Sequence, residues 1–260
     1  MAVPRIALFE VTDWERGRLA HMKGPKVALF SQELNAETAD LAKNFDVLSV
    51  FIYSQLSAPV LRKLPQLKMI ATRSTGFDHI DLVPCRKRKI VVSNVPSYGE
   101  NTVAEHTFAL ILALSRNIHR AYMRTIRGDF SLEGLRGFDL QGKTIGVIGA
   151  GHIGMHVIKM ARGFGMKILA FDVRQNAFLA EVLGFQYATL DEILKQSDVL
   201  SLHAPYSEKT KHLIGKHNIK QIKRGAILVN TSRGGLVDTD ALIQALDDGI
   251  LAGAGLDVLE

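Results

Sequence analysis

Hydrophobic and polar positions along this 260-residue chain follow two rhythms. Short β-branched or apolar runs at 5–9, 26–30, 47–52, 68–72 and 90–93 each predict a strand. Between them, 36–44, 57–64 and 82–87 read as helices or helical turns, and 14–22 as a helix begun at Thr12 or Asp13. Past a loop marked by Pro96 and Gly99, Asn101 or Thr102 can cap a long helix running to about Asp129. Its first half, 107–115, is apolar all round and reads as buried, whereas its second half is basic. The alternation then resumes. Strands are predicted at 145–148, 167–172, 186–188, 198–202, 226–230 and 252–256, and helices at 155–164, 179–183, 190–195 and 238–249, the last capped by Asp238 or Thr239. Strands alternating with helices at this spacing predict an α/β chain with two doubly wound parallel-sheet lobes, divided near residue 100 by the long helix.

One strand-to-helix junction carries chemistry. The run 145–148 leads into Gly149-Ala150-Gly151-His152-Ile153-Gly154, and a second apolar strand ends on Asp172, 18 positions after the last glycine. Strand, GxGxxG, helix, strand and acid in this order form a dinucleotide-binding pattern, which a lone GxGxxG would not. Gly149 permits the tight turn, Gly151 lets the backbone approach a pyrophosphate, and Gly154 allows close helix packing. The N-terminus of the following helix offers unpaired N–H groups to the phosphates. Asp172 suits ribose hydroxyls and repels a 2′-phosphate, which predicts NAD rather than NADP, although Arg174 follows closely.

Other strand ends add candidates, because ligands of open α/β sheets sit outside the carboxyl ends of the strands. In the second half these are His203-Ala204-Pro205, Thr231-Ser232-Arg233 with Gly234 and Gly235, and Asp257. Arg233 can hold a planar carboxylate bidentately and polarise a neighbouring carbonyl. In the first half, the loop around Thr75 and Gly76 can cradle an anion with its backbone N–H groups. His106 and His203 have side chains that can titrate near neutral pH, but a lone histidine is more often a hydrogen-bonded structural residue. His152 and His156 have chelating spacing but no further ligands, so no metal is expected.

Bulk properties narrow the partners. The net charge is +6, yet the basic clusters 86–89 and Arg116, Arg120, Arg124 and Arg127 come without a nucleic-acid motif or interleaved aromatics. The first reads as the basic end of a helix and the second as a solvated or interface-facing stripe. The apolar run 108–114 is too short to span a bilayer, charges at Arg5, Glu10, Asp13 and Glu15 break any signal sequence, and the single Cys85 fits a reducing cytosol. No nucleic-acid or membrane partner is expected, and a cytoplasmic location is.

With these residues in place, the chain resembles the D-2-hydroxyacid dehydrogenases, and within them the D-lactate dehydrogenase branch. The resemblance rests on 72–81 (TRSTGFDHID), 95–98 (VPSY), 101–106 (NTVAEH), 116–122 (RNIHRAY), 130–135 (FSLEGL), the glycine turn, 229–235 (VNTSRGG) and 255–258 (GLDV), which occur in family order over nearly the whole chain. It implies a flavodoxin-like substrate domain at 1–100 and a Rossmann NAD-binding domain at 101–260. It also implies exchange of a hydride between NAD(H) and a 2-oxo or 2-hydroxy acid, with pyruvate and D-lactate as the pair for that branch, in a cleft between the lobes. Carried over by motif, Arg233 would bind and polarise the substrate, and Thr75 and Gly76 would hold its carboxylate with Tyr98 nearby. Asp257 would contact the nicotinamide carboxamide and Asp172 the adenosine ribose. The glycine turn with His152 and Ile153, together with His203, Ala204, Pro205, Thr231 and Ser232, would hold the rest of the cofactor. A homodimer joined through the cofactor lobe and its leading helix is implied as well. The family's catalytic glutamate and histidine follow the position of Asp257, and 1–260 contains neither, so this polypeptide is expected to be truncated at its C-terminal end and to turn over little by itself. A non-catalytic NAD-binding scaffold or sensor, or a dehydrogenase of a different 2-hydroxy acid, are the alternatives.

Overall fold

The computed structural model describes residues 3–19 and 26–260, which form two compact units, Met1–Tyr98 and Gly99–Glu260. In the first, β1 (Arg5–Leu8), β2 (Lys26–Leu29), β3 (Val47–Val50), β4 (Met69–Thr72) and β5 (Val91–Ser93) form one parallel sheet in the order β2-β1-β3-β4-β5. Helices α1 (Asp13–Leu19), α2 (Ala39–Ala42), α3 (Ala58–Arg62) and α4 (Leu82–Lys87) connect them. The strands predicted by the apolar runs all form. Helix α2 is shorter than the run 36–44, because Asn35 and Thr38 spend their side chains on a tight turn at residues 35–38. The predicted helix 14–22 is helical to Leu19, and its remainder lies outside the described residues.

The strand order of this unit reverses between β1 and β3, and a side chain fills that switch point. Glu10, just past β1, has φ +57°, an uncommon conformation for a non-glycine residue. Its carboxylate accepts the N–H groups of Phe51 and Tyr53 at 2.7 Å each, and the Ser54 hydroxyl. Beneath it, Phe9 stacks on Phe30 with centroids 4.7 Å apart, over a core that includes Leu48, Val50, Leu56, Leu61 and Ile70.

The second unit begins with α5 (Glu100–Ser115) and α6 (Ile118–Thr125), then alternates β6 (Thr144–Ile148), α7 (His152–Gly163), β7 (Lys167–Phe171), α8 (Ala177–Leu183), β8 (Gln186–Tyr187), α9 (Leu190–Gln196), β9 (Val199–Leu202), β10 (Ala226–Asn230), α10 (Thr239–Asp247) and β11 (Leu251–Leu256). The six strands are parallel in the order β11-β10-β9-β6-β7-β8. Strands β9 and β10 are buried at every position, the signature of central parallel strands covered on both faces. The fold is therefore two doubly wound lobes, as the sequence predicts, and the second has Rossmann order.

Two expectations for the long helix are corrected. It is broken at Asn117, which turns left-handed at φ +51° and donates to the carbonyls of Leu135 and Arg136. The Ser115 carbonyl, at the end of α5, is taken by the Phe138 N–H at 2.9 Å, where a side chain at Gly137 would clash with it. A returning loop thus caps the first helix and ends it. At the other end, Gly99 precedes the first turn and no side-chain cap bond forms, so neither Asn101 nor Thr102 serves as the cap. The arginine stripe is partly spent on the same loop, Arg116 pairing with Asp139 at 3.0 Å and Arg124 donating to the carbonyls of Ser131 and Glu133. No helix among the described residues is long and apolar enough to cross a membrane.

Replacing Glu10 strands two backbone N–H groups and a hydroxyl at the first switch point. Glu10→Ala should destabilise the first unit by about 1–3 kcal/mol, and Glu10→Gln, which keeps an acceptor oxygen, by less. Urea unfolding curves of the three proteins measure this.

Candidate functional site

The second sheet reverses its order between β6 and β9, and the glycine turn lies at that point. Gly149 has φ +101°, and a Cβ there would stand 2.6 Å from Ala204 N and from the His203 carbonyl carbon. Conformation and space therefore both require glycine. Gly154 is equally constrained, since its Cβ would fall 2.1 Å from the Gly149 carbonyl oxygen. Gly151 differs: nothing lies within 4 Å of where its Cβ would be, so the backbone faces open space. Helix α7 starts next to it, with its first N–H groups free of helical partners. A pyrophosphate fits this arrangement of bare backbone, open space and positive helix end.

Asp172 is tied to the turn. One carboxylate oxygen accepts the Ala150 N–H at 2.8 Å and the other the Arg174 N–H at 2.8 Å. It is partly exposed, so each oxygen keeps a lone pair for a ribose hydroxyl. His152 is exposed, its Nδ1 3.1 Å from Glu100 at the start of α5, and Ile153 is partly buried. Neither His152 nor His156 belongs to a metal-binding cluster among the described residues.

At the carboxyl end of β9, burial pushes the His203 imidazole down to about 4. Its Nε2 lies 2.8 Å from the Ser201 hydroxyl. Of the two readings of this histidine, the hydrogen-bonded structural one fits, because desolvation outweighs its one polar partner and removes it from titration near neutral pH. Ala204 is buried, its carbonyl accepting the Ser232 hydroxyl at 2.7 Å, and the Pro205 carbonyl accepts the Thr210 hydroxyl at 2.7 Å.

At the carboxyl end of β10, buried Asn230 organises the loop that follows. Its side chain accepts the Ser232 N–H at 3.0 Å and donates to the Arg233 carbonyl at 2.8 Å. The Thr231 and Thr107 hydroxyls bond at 2.8 Å. Arg233 is partly buried, with one guanidinium nitrogen donating to the Ser232 carbonyl at 2.8 Å. Asp257, just past β11, continues the ladder through its N–H to the Asn230 carbonyl at 3.0 Å. Its carboxylate is about half exposed, with His106 Nε2 3.3 Å away. The fold thus gathers the glycine turn, Asp172, 203–205, 231–233 and Asp257 along one sheet edge.

Thr75, Gly76 and Tyr98 belong to the first unit. The Thr75 hydroxyl donates to the Val95 carbonyl at 2.9 Å, and its carbonyl accepts the Asn94 side-chain amide at 2.8 Å. Among the described residues the N–H groups of Thr75 and Gly76 make no hydrogen bond, which suits a site for a carboxylate. Tyr98 is exposed in the loop after β5. Sequence reasoning did not single out Ser201, Asn230 or Thr107. Of the three, only Asn230 carried a signal that could have been read, an amide closing the apolar run 226–230.

The fold and this edge define an NAD-binding α/β unit. Residues 108–260 match the D-isomer specific 2-hydroxyacid dehydrogenase, NAD binding domain. The chain is 38% identical to D-lactate dehydrogenase of Escherichia coli over 98% of its own length and 79% of that protein's. It is 40% identical to a 2-hydroxyacid dehydrogenase homolog of Haemophilus influenzae, over 98% of this chain and 78% of that one. The Aquifex aeolicus D-lactate dehydrogenase, crystallised with NAD and lactic acid, superposes with a TM-score of 0.91 at 39% identity, over 98% of this chain and 77% of that chain. The chain belongs to the D-isomer-specific 2-hydroxyacid dehydrogenase family of NAD-dependent oxidoreductases.

His203 gives a pH test. Its folded value of about 4 lies below the ordinary 6.5, so between these values the unfolded chain binds the proton and the folded chain does not. Stability should fall as pH drops through that window, by up to roughly 3 kcal/mol. His203→Asn should flatten the loss, read from urea midpoints at several pH values without cofactor.

Proposed function

We propose that this chain is a D-lactate dehydrogenase, handling pyruvate and D-lactate with NADH and NAD. The observation that carries the reading is Arg233, fixed by buried Asn230 at the carboxyl end of β10 beside the cofactor edge. The likeness to D-lactate dehydrogenases over 98% of the chain supports the choice of substrate.

Bound NADH supplies the hydride. The residues of this chain do the rest. Arg233 orients the 2-oxo acid and polarises its carbonyl, where its charge offsets the negative charge developing on oxygen. The N–H groups of Thr75 and Gly76 hold the carboxylate, with Tyr98 beside it. Asp257 receives the nicotinamide carboxamide, Asp172 the ribose hydroxyls, and the glycine turn with His152 and Ile153 the phosphates. His203, Ala204, Pro205, Thr231 and Ser232 line the remaining cofactor contact.

The developing alkoxide also needs a proton. Arg233 does not supply one, because a guanidinium holds its charge and binds and orients rather than donating a proton. His203 is uncharged near neutral pH and has none to give. Losing a positioned acid removes about 10²- to 10⁴-fold in rate. We infer that residues 1–260, tested alone, bind NADH and turn over slowly. We further propose a cytoplasmic homodimer. Ile118, Tyr122 and Ile126 are exposed at helical spacing along α6 and its end, which supports an interface there, and buried Cys85 as the only thiol suits the cytosol.

Purified residues 1–260 should bind NADH at least about tenfold more tightly than NADPH, a preference supplied by Asp172. Pyruvate-dependent loss of NADH absorbance should run about 10²-fold or more below the same assay on the E. coli relative. Arg233→Gln should leave NADH affinity nearly unchanged and abolish binding of the pyruvate analogue oxamate to the NADH complex, read by calorimetry. Turnover at a rate comparable to the relative would refute the inference of slow turnover. Oxamate binding that survives the substitution would refute the role of Arg233.

A further inference from the structure

Helix α5 lies on β11 in a register set by side-chain size. A Cβ on Gly253 would be 3.2 Å from Leu114 Cδ2, and one on Gly255 would be 3.1 Å from Leu110 Cβ. The two glycines share a face of the strand, where the period is two residues, and the two leucines share a face of the helix, four residues apart. Four helical residues advance about 6 Å and two strand residues about 6.6 Å, so the pairing keeps step as the helix runs against the strand. One step further the pair is His106 and Asp257. There the imidazole Nε2 lies 3.3 Å from the carboxylate Oδ1, with both side chains about half exposed. The Asp257 backbone is already fixed by its N–H bond to Asn230, and the next helix residue, Thr107, is fixed to Thr231. The carboxylate is the part that sheet hydrogen bonding leaves without restraint.

We propose that His106 is a positioning residue that holds the Asp257 carboxylate in the rotamer that receives the nicotinamide end of the cofactor. This rests on the assignment of Asp257 to the nicotinamide carboxamide made above. One oxygen is engaged by the imidazole, and the other is left to accept the amide N–H. Without the ring, the aspartate samples several rotamers, and binding must order it. Because α5 carries His106, the grip on the nicotinamide is tied to the seating of that helix on β11.

The test compares NADH with ADP-ribose, which lacks the nicotinamide, by calorimetry on residues 1–260. His106→Ala should weaken NADH about two- to fivefold, the scale of one half-exposed side-chain contact, and leave ADP-ribose unchanged. His106→Gln, whose amide can reach the same oxygen, should recover most of the loss. Asp257→Ala should show a selective loss at least as large, and adding His106→Ala to it should cost nothing further. Equal weakening of both ligands by His106→Ala, or no weakening of either, overturns the proposal if Asp257→Ala remains selective. If Asp257→Ala is itself unselective, the assignment of Asp257 falls, and the role of His106 falls with it.

Discussion

At Gly149 a single methyl group would meet Ala204 N and the His203 carbonyl carbon at 2.6 Å. That crowding holds the exit of β6 against the exit of β9, where the strand order of the second sheet reverses. Everything proposed for the cofactor hangs on it. The close approach lets α7 begin at His152 with Gly154 against the turn's own carbonyl, and it brings Ala150 within reach of Asp172. A bulkier residue at Gly149 would force apart two strands that are buried at nearly every position.

Both units are doubly wound parallel sheets, in different strand orders, and they use their switch points differently. Each has a switch point, and the backbone groups of departing strands need partners at both. In the first unit Glu10 supplies the partner itself, its carboxylate occupying the N–H groups of Phe51 and Tyr53. In the second unit Gly151 leaves open space and α7 leaves unpaired N–H groups, so the anion must come from a ligand. Among the described residues, the first unit leaves N–H groups without hydrogen bonds elsewhere, at Thr75 and Gly76 past β4. One sheet is thus closed by its own side chain where the other is built to be closed by NAD.

The edge of the second sheet is also a layered structure. Asn230 fixes the backbone around Ser232 and Arg233, Thr107 fixes Thr231, and His106 stands against Asp257. Two of these supports come from α5, which reaches the edge because Gly253 and Gly255 let it settle on β11. The helix that leads into the unit therefore helps to shape the site at its far end. His203, by contrast, is kept neutral by burial, which suits it to packing and hydrogen bonding and unsuits it to proton transfer.

Local pattern was enough to place the strands, the two doubly wound sheets and the glycine turn with its acidic partner. These follow from local periodicity, from apolar runs that only a doubly covered strand tolerates, and from glycine where no side chain fits. Where the long helix breaks was set by packing, because the group that ends it, the Phe138 N–H on the Ser115 carbonyl, comes from a returning loop. Packing likewise decided that Gly99 rather than Asn101 or Thr102 precedes α5, that His203 is neutral, and that Thr107 meets Thr231 across 124 residues. Desolvation and contacts between distant residues exist only once the chain has packed, and no spacing along the sequence encodes them directly. His106 was visible as a titratable residue. Its place over Asp257 required the size of two glycines and the pitch of one helix to be read together.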